Sequence, residues 1–160
     1  MGASRQSMID IRLRLSLLST TLRDEIGILR SNELSLAQSI KALTDQIAAN
    51  AALQIENDIS ELPTNQQIAF EVSRVIRELL LNIAKYSGAN NVQLSAAVST
   101  DLIEISILDD GLEFDPGLER SGHSDRFGVT GLQERLAEIG GSLSYVRADI
   151  KNTITLLIPR

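Results

Sequence analysis

Cysteine is absent from the 160 residues, and histidine occurs once, at position 123. The first absence excludes a disulfide scaffold and any thiolate metal site; the second leaves no histidine set for zinc. Basic residues are in deficit too, with 15 lysines and arginines against 21 aspartates and glutamates and a net charge of −6. A sequence-independent grip on nucleic acid needs a basic face, so DNA and RNA are poor default partners. No apolar run approaches the roughly 20 residues of a membrane span, and the first residues lack a signal-peptide pattern. These absences predict a soluble cytoplasmic domain, any membrane anchor lying elsewhere in a full-length protein. What is plentiful is hydrophobic, 43% of the residues. That share is ordinary for a globular chain and, at this length, enough for a sizeable core.

Between about Ser4 and Arg30, Met8, Ile11, Leu15, Leu18 and Leu22 step by three and four residues, and Leu29 resumes the register. Such a seam, about three heptads long, reads as one helix that packs on another helix, its own copy included, or on this chain's own domain. Ser31 and Asn32 punctuate it, which sets residues 1–32 apart from a main domain over 33–160. In that domain a helix from Leu34 to about Ala49 gathers Leu36, Ile40, Leu43 and Ile47 on one face. Leu53, Ile55 and Ile59 suggest a strand ending at Pro63. Thr64 and Gln67 have capping-box spacing and open a long helix to about Tyr86, which Gly88 stops as a left-handed cap.

Alternation then marks two strands. Val92, Leu94, Ala96 and Val98 share a face of the first, and Ile103, Ile105 and Ile107 a face of the second, with a turn at Ser99-Thr100-Asp101. Asp109 to Phe127 is polar and aperiodic, a long loop. A short helix from Thr130 to Ile139 and a closing hairpin, Ser142 to Arg147 and Thr153 to Ile158 around Ala148 to Asn152, complete the chain. Neighbouring strands without helical crossovers predict an α+β fold, a two-layer sandwich whose mixed, mostly antiparallel sheet carries its helices on one face.

Three short motifs hold groups suited to chemistry. Glu78, Asn82 and Lys85 recur at i, i+4 and i+7 on the long helix, so a carboxylate, an amide oxygen and an ammonium share one face. Magnesium takes one or two protein oxygens and leaves its other positions to water and phosphate, which suits that row. A solvated helix face with an ordinary Glu–Lys pair has the same spacing. Asp109-Asp110-Gly111 closes a very apolar strand, where a carboxylate can accept from a ligand's amino group while glycine lets the backbone come close. A plain Asp-Gly turn would look identical. Gly128-Val129-Thr130-Gly131 opens the short helix, where free N–H groups and the helix dipole suit phosphate, or where two glycines form a hinge and cap. His123 lies in the long loop between glycine and serine, the common place for an exposed histidine.

Taken together and in this order, the motifs resemble the GHKL (Bergerat-fold) ATPases, which comprise histidine kinases, DNA gyrase and mismatch-repair ATPases, and anti-sigma-factor kinases. The N box is similar to Arg77 through Ala89, the first glycine box to Asp109 through Phe114, and the second to Gly128 through Leu132. The run Gly131-Leu132-Gln133-Glu134-Arg135-Leu136, then Gly140-Gly141-Ser142-Leu143, resembles sensor kinases paired with LuxR-type response regulators. The likeness covers Leu62 to Pro159. It implies a Bergerat ATP-binding fold and a site for ATP and Mg2+, with Asn82 on the metal and Glu78 as the catalytic residue that orients or polarises the attacking group. By the same resemblance Lys85 contacts phosphate with Tyr86 beside it, and Asp109 accepts from the adenine amino group while Gly111 admits the base. Gly128 and Gly131 flank the phosphates, Val129, Thr130 and Leu132 line them, and Asp115 to Phe127 form a lid.

The activity so implied is that of a histidine protein kinase, and phosphoryl transfer of this kind asks for positioning and charge stabilisation. The implied partners are a helix bearing the phosphoacceptor histidine, in the same full-length protein or in a partner chain, and a LuxR-type response regulator. Residues 1–32 would be the remnant of a dimerisation helix, able to pair with its copy. Three features depart from the family pattern. Glu113 replaces the second glycine of its box, and Lys151-Asn152 stands where Gly-Thr is usual, with Asn152 able to replace the threonine near adenine. No His-Asp or His-Glu motif precedes the domain. These departures keep two further readings open, a non-catalytic GHKL module that binds nucleotide or protein, and an anti-sigma-type serine kinase.

Overall fold

The computed structural model describes residues 34–113 and 129–160. The amphipathic segment from Ser4 to Arg30, the lid from Asp115 to Phe127 with His123, and Gly128 lie outside the described residues.

Helix α1, Leu36–Asn50, starts at a reciprocal cap: Ser35 Oγ accepts from the Gln38 N–H, and Gln38 Oε1 accepts from the Ser35 N–H at 2.9 Å. The predicted apolar face is the one it buries, through Leu36, Ile40, Leu43 and Ile47. Strand β1, Gln54–Asp58, stops short of the predicted end at Pro63, because Asn57 Oδ1 accepts from the Ile59 N–H at 3.1 Å and turns the chain. Helix α2, Gln66–Asn82, is capped by Asn65, whose side chain accepts from the Ile68 N–H at 2.9 Å. The Thr64–Gln67 box predicted from sequence does not form. Asparagine outranks threonine as an N-cap, and it sits three residues before the N–H it satisfies.

The last turn of this helix is π-helical, Ile83–Ser87, and ends at Gly88 with φ 63°. The left-handed stop at Gly88 is as predicted. The wider turn is not. Strand β2, Asn91–Val98, and strand β3, Leu102–Asp109, follow, then α3, Val129–Glu138, β4, Ser142–Ala148, and β5, Lys151–Pro159. The final hairpin turns at Asp149 and Ile150 alone, with Asp149 at φ 55°, a left-handed conformation that aspartate tolerates better than most residues. Both strands therefore run further than predicted, and Asn152 lies within β5 instead of in the turn.

The sheet order is β1-β2-β3-β5-β4. β1 runs parallel to β2, the crossover between them containing α2, and every other pair is antiparallel. Alternation sends one set of side chains to the helices. Val92, Leu94, Ile103, Ile105, Ile107, Ile154, Leu156 and Ile158 are buried, while Gln93, Ser95 and Glu104 between them face solvent. Val72, Val75, Ile76, Leu79, Leu80 and Ile83 meet that face from α2, and Leu132 and Leu136 from α3. Each full burial contributes roughly 1.5–3 kcal/mol in transfer terms before chain entropy is subtracted.

Because Asn65 is the cap, Asn65→Ala should lower the unfolding free energy by about 1 kcal/mol in urea denaturation. Thr64→Ala should change it by less than about half that. The reverse ranking would restore the Thr64 box.

Candidate functional site

The site begins where α2 widens. The Ile83 N–H still reaches the Leu79 and Leu80 carbonyls, and from Ile83 to Ser87 the helix widens into a π-turn that takes an extra residue before Gly88. The widened turn buries Ser87, which donates its hydroxyl to the Ile83 carbonyl at 2.9 Å and accepts from the Ala89 N–H at 3.1 Å. The Ser87 carbonyl in turn accepts from the Leu112 N–H at 2.7 Å. Helix end and strand end are thereby laced together. Gly111 is required at this crossing, since a Cβ there would lie 2.5 Å from Ser87 Oγ and 2.6 Å from the Ser87 carbonyl oxygen. The resemblance assigns Gly111 to the approach of a base; contact with Ser87 is a second demand on the same residue.

Asp110 fastens the other side of the junction. Its Oδ1 accepts from the Asn90 and Asn91 N–H groups at 2.8 and 2.9 Å, and its Oδ2 from Asn91 Nδ2 at 2.7 Å. The backbone and side chain of Asn91, more than any other partner, hold the Asp110 carboxyl below the ordinary range.

Asp109 points the opposite way, into the protein, and is only 1% exposed. Its Oδ1 accepts from the Gly111 N–H and from Asn152 Nδ2, both at 2.9 Å. Its Oδ2 is buried and has no hydrogen-bond partner among the described residues. Asn152, paired with Asp109 in the β3–β5 register and fully buried, is saturated. Its second amide hydrogen goes to the Leu112 carbonyl at 2.9 Å, and its Oδ1 accepts from the Tyr145 hydroxyl at 2.8 Å and from Arg147 Nη1 at 2.7 Å. Arg147 Nη1 also lies 3.2 Å from the Gly111 carbonyl, a second acceptor for it.

The structure thus draws Ser87, Asp109, Gly111 and Asn152 into one junction at the end of the sheet. Glu78 and Asn82 keep their one-turn spacing on α2, each half-buried. Lys85, also half-buried, and Tyr86, 54% exposed, belong to the π-turn that follows. Val129, Thr130 and Gly131 form the first turn of α3, and Leu132 is buried in the core beneath it. Sequence reasoning gave no role to Ser87 and Asp110, though both lie inside its motifs, and it overlooked Tyr145 and Arg147. For the last two a signal existed, because alternation in the hairpin puts residues 145 and 147 on one face of β4, and Arg147 pairs with Asn152.

Two consequences can be measured. Gly111→Ala should destabilise the fold by about 1–3 kcal/mol, since its Cβ would meet fixed backbone; a chemical denaturation curve unchanged from the parent would refute the crossing. Asp110 has a lowered pKa in the folded chain, so its contribution is present above the unfolded pKa and is lost as pH falls through the folded value. The stability gap between parent and Asp110→Asn should therefore be constant near neutrality and shrink only in acid below the ordinary carboxylate range. A gap that persists through acid would mean that the charge of Asp110 does not matter.

No family model matches the sequence. The chain is 27% identical over 147 residues to the sensor histidine kinase LnrJ of Bacillus subtilis, covering 89% of this chain and 32% of that protein. It is 29% identical over 116 residues to the signal transduction histidine-protein kinase/phosphatase UhpB of Salmonella typhimurium, covering 71% and 22% respectively. The chain therefore spans less than a third of the length of these relatives. Among solved structures, the ATP binding domain of PrrB from Mycobacterium tuberculosis matches with a TM-score of 0.62 at 19% identity, over 79% of this chain and 94% of that domain. In its fold, the chain is a mixed five-stranded sheet under helices of the kind found in the ATP-binding catalytic domains of histidine kinases.

Proposed function

We propose that this chain is the Mg-ATP-binding catalytic portion of a two-component sensor histidine kinase, and that it transfers the γ-phosphoryl group of ATP to a histidine on a separate helix. The observation that carries the reading is Asp109 Oδ2, a buried carboxylate oxygen whose partner is missing from the described protein. Leaving such a group unsatisfied costs roughly 1–3 kcal/mol, more when it is charged, and an exocyclic amino group of adenine would offset that cost. Guanine offers an oxygen at the same place and would be repelled.

Each residue then has a defined task. Asp109 reads the base, and Gly111 keeps the backbone thin beside it. Asn82 offers a neutral amide oxygen to magnesium, with Glu78 one turn away on the same helix to orient the attacking imidazole or a water. That donor set fits the ion, because magnesium keeps most of its shell as water and phosphate oxygen. Lys85 adds positive charge towards phosphate, and the first turn of α3 at Val129, Thr130 and Gly131 offers backbone N–H groups to it. In the transfer, the bond from γ-phosphorus to the bridging oxygen breaks, ADP leaves with the electron pair, and a bond forms from phosphorus to the imidazole nitrogen. The metal, when bound, supplies charge neutralisation between the phosphates.

The glycine pair at Gly140-Gly141 after the Gly131–Leu136 run supports a LuxR-type response regulator as the next receiver. Residues 1–32 supply an apolar seam suited to pairing with a copy of themselves. No described helix is long and apolar enough to cross a membrane, and a substrate such as ATP places the domain on the cytoplasmic side.

ATP with magnesium should raise the melting temperature, since a ligand bound only to the folded state stabilises it by mass action. Asn82→Ala should remove most of the magnesium-dependent part of that shift, and Asp109→Asn should weaken ATP at least about tenfold. Unchanged behaviour in both variants would sink the site. Incubated alone with magnesium and γ-labelled ATP, the chain should gain no acid-labile label, whereas an added histidine-bearing helix should gain it. Transfer to a serine-bearing partner instead would favour the anti-sigma type, and tight binding without any transfer a non-catalytic module. Label on this chain that disappears in His123→Ala would relocate the acceptor to His123.

A further inference from the structure

We propose that Asn152, held by Tyr145 and Arg147, is a positioning residue that aims the Asp109 carboxylate and so sets the choice between 6-amino and 6-oxo purines. The inference rests on the nucleotide reading above.

A carboxamide is nearly symmetric in shape, and its two orientations differ only in which end donates. At residue 152 the surroundings decide between them. One end of the amide faces the Tyr145 hydroxyl and Arg147 Nη1, the other faces Asp109 Oδ1 and the Leu112 carbonyl. Guanidinium can only donate, and a main-chain carbonyl can only accept. Rotation by half a turn would set the amide oxygen against Asp109 and Leu112 and its hydrogens against Arg147. Three bonds, to Asp109, Leu112 and Arg147, would be replaced by oxygen facing oxygen and hydrogen facing hydrogen, and only the Tyr145 hydroxyl, which can also accept, would keep a partner, with Asn152 buried and little water at hand to repair the loss. Arg147 thus acts at a distance. It does not touch Asp109 in any described contact, yet its donation to Oδ1 of Asn152 favours the orientation that points an amide hydrogen at the carboxylate.

The consequence falls on Asp109. With Oδ1 pinned by two donors, Gly111 N–H and Asn152 Nδ2, the plane of the carboxylate is fixed. Oδ2 then holds one direction and remains purely an acceptor. A purine with an amino group at its sixth position gains a bond there, and one with an oxygen meets repulsion. Without Tyr145 and Arg147 the amide is held from one end only, its grip on Asp109 Oδ1 loosens, Oδ2 gains freedom, and both the bond and the repulsion weaken. Discrimination falls.

The test compares ATP with inosine triphosphate, which carries oxygen in place of the amino group and the same phosphates. Binding of each would be measured by calorimetry for the parent, for Tyr145→Phe and for Tyr145→Phe with Arg147→Met. The parent should prefer ATP at least about tenfold. The preference should drop about threefold in the single variant and further in the double variant. General loosening of the fold would weaken both nucleotides together and leave their ratio at the parental value, and that result would overturn the positioning role while leaving the base reading intact. A parent that binds both nucleotides equally would overturn the base reading and this inference together. Should the double variant fail to melt cooperatively, the ratio in Tyr145→Phe decides by the same criterion.

Discussion

Asp109 and Asn152 face each other across the β3–β5 pairing, both closed off from solvent, and the bond between them exists only while that register holds. A slip of β3 by one residue would turn Asp109 to the open face of the sheet, away from Asn152, together with every isoleucine that precedes it on its strand. The register is therefore maintained by the same apolar residues that fill the core: Ile103, Ile105 and Ile107 on one strand, Ile154, Leu156 and Ile158 on the other. A polar site with four buried partners is stable here because it terminates a hydrophobic ladder. The ladder supplies the favourable burial, and the site consumes part of it by keeping one carboxylate oxygen unsatisfied.

The second constraint is the crossing of α2 with the end of β3. An ordinary helical ending would leave Ser87 at a different height and direction. The π-turn adds a residue, drops Ser87 into the core and lets its carbonyl receive the Leu112 N–H. Only glycine at 111 permits this distance. The helix that carries Glu78 and Asn82 and the strand that carries Asp109 are consequently fixed to each other at a single point of backbone contact. Asp110 reinforces it from outside by holding the two asparagines that follow Ala89.

Much of this was legible in the sequence, for definite reasons. The apolar periodicities of α1 and α2, the alternation in β2 and β3, and the stop at Gly88 are local signals, and each appears as expected. The Thr64 cap and the hairpin turn were misplaced by a residue or two, because the competing residues, Asn65 and Asp149, have similar turn chemistry. The π-turn was hidden altogether: Ile83 to Ser87 carries no local mark of it, and the residue that Ser87 packs against, Gly111, lies more than twenty residues away. Of the site, Asp109 and Gly111 stand out as a motif, and Asn152 as a departure from one. Tyr145 and Arg147 do not, since a half-buried tyrosine and arginine on an edge strand look like ordinary surface until the register shows which amide they grip.

The place of β5 in the sheet has a further meaning. Last of the described strands in chain order, it lies inside the sheet, between β3 and β4, and not at an edge. A nascent chain that has reached only Ile150 would leave the isoleucine-rich β3 with an open edge, a template for pairing with other chains. The same partial chain would also lack the amide that faces Asp109. Synthesis of β5 thus closes the aggregation-prone edge and completes the buried site in one event, so that a chain cut short at Ile150 offers a sticky surface instead of a half-built site.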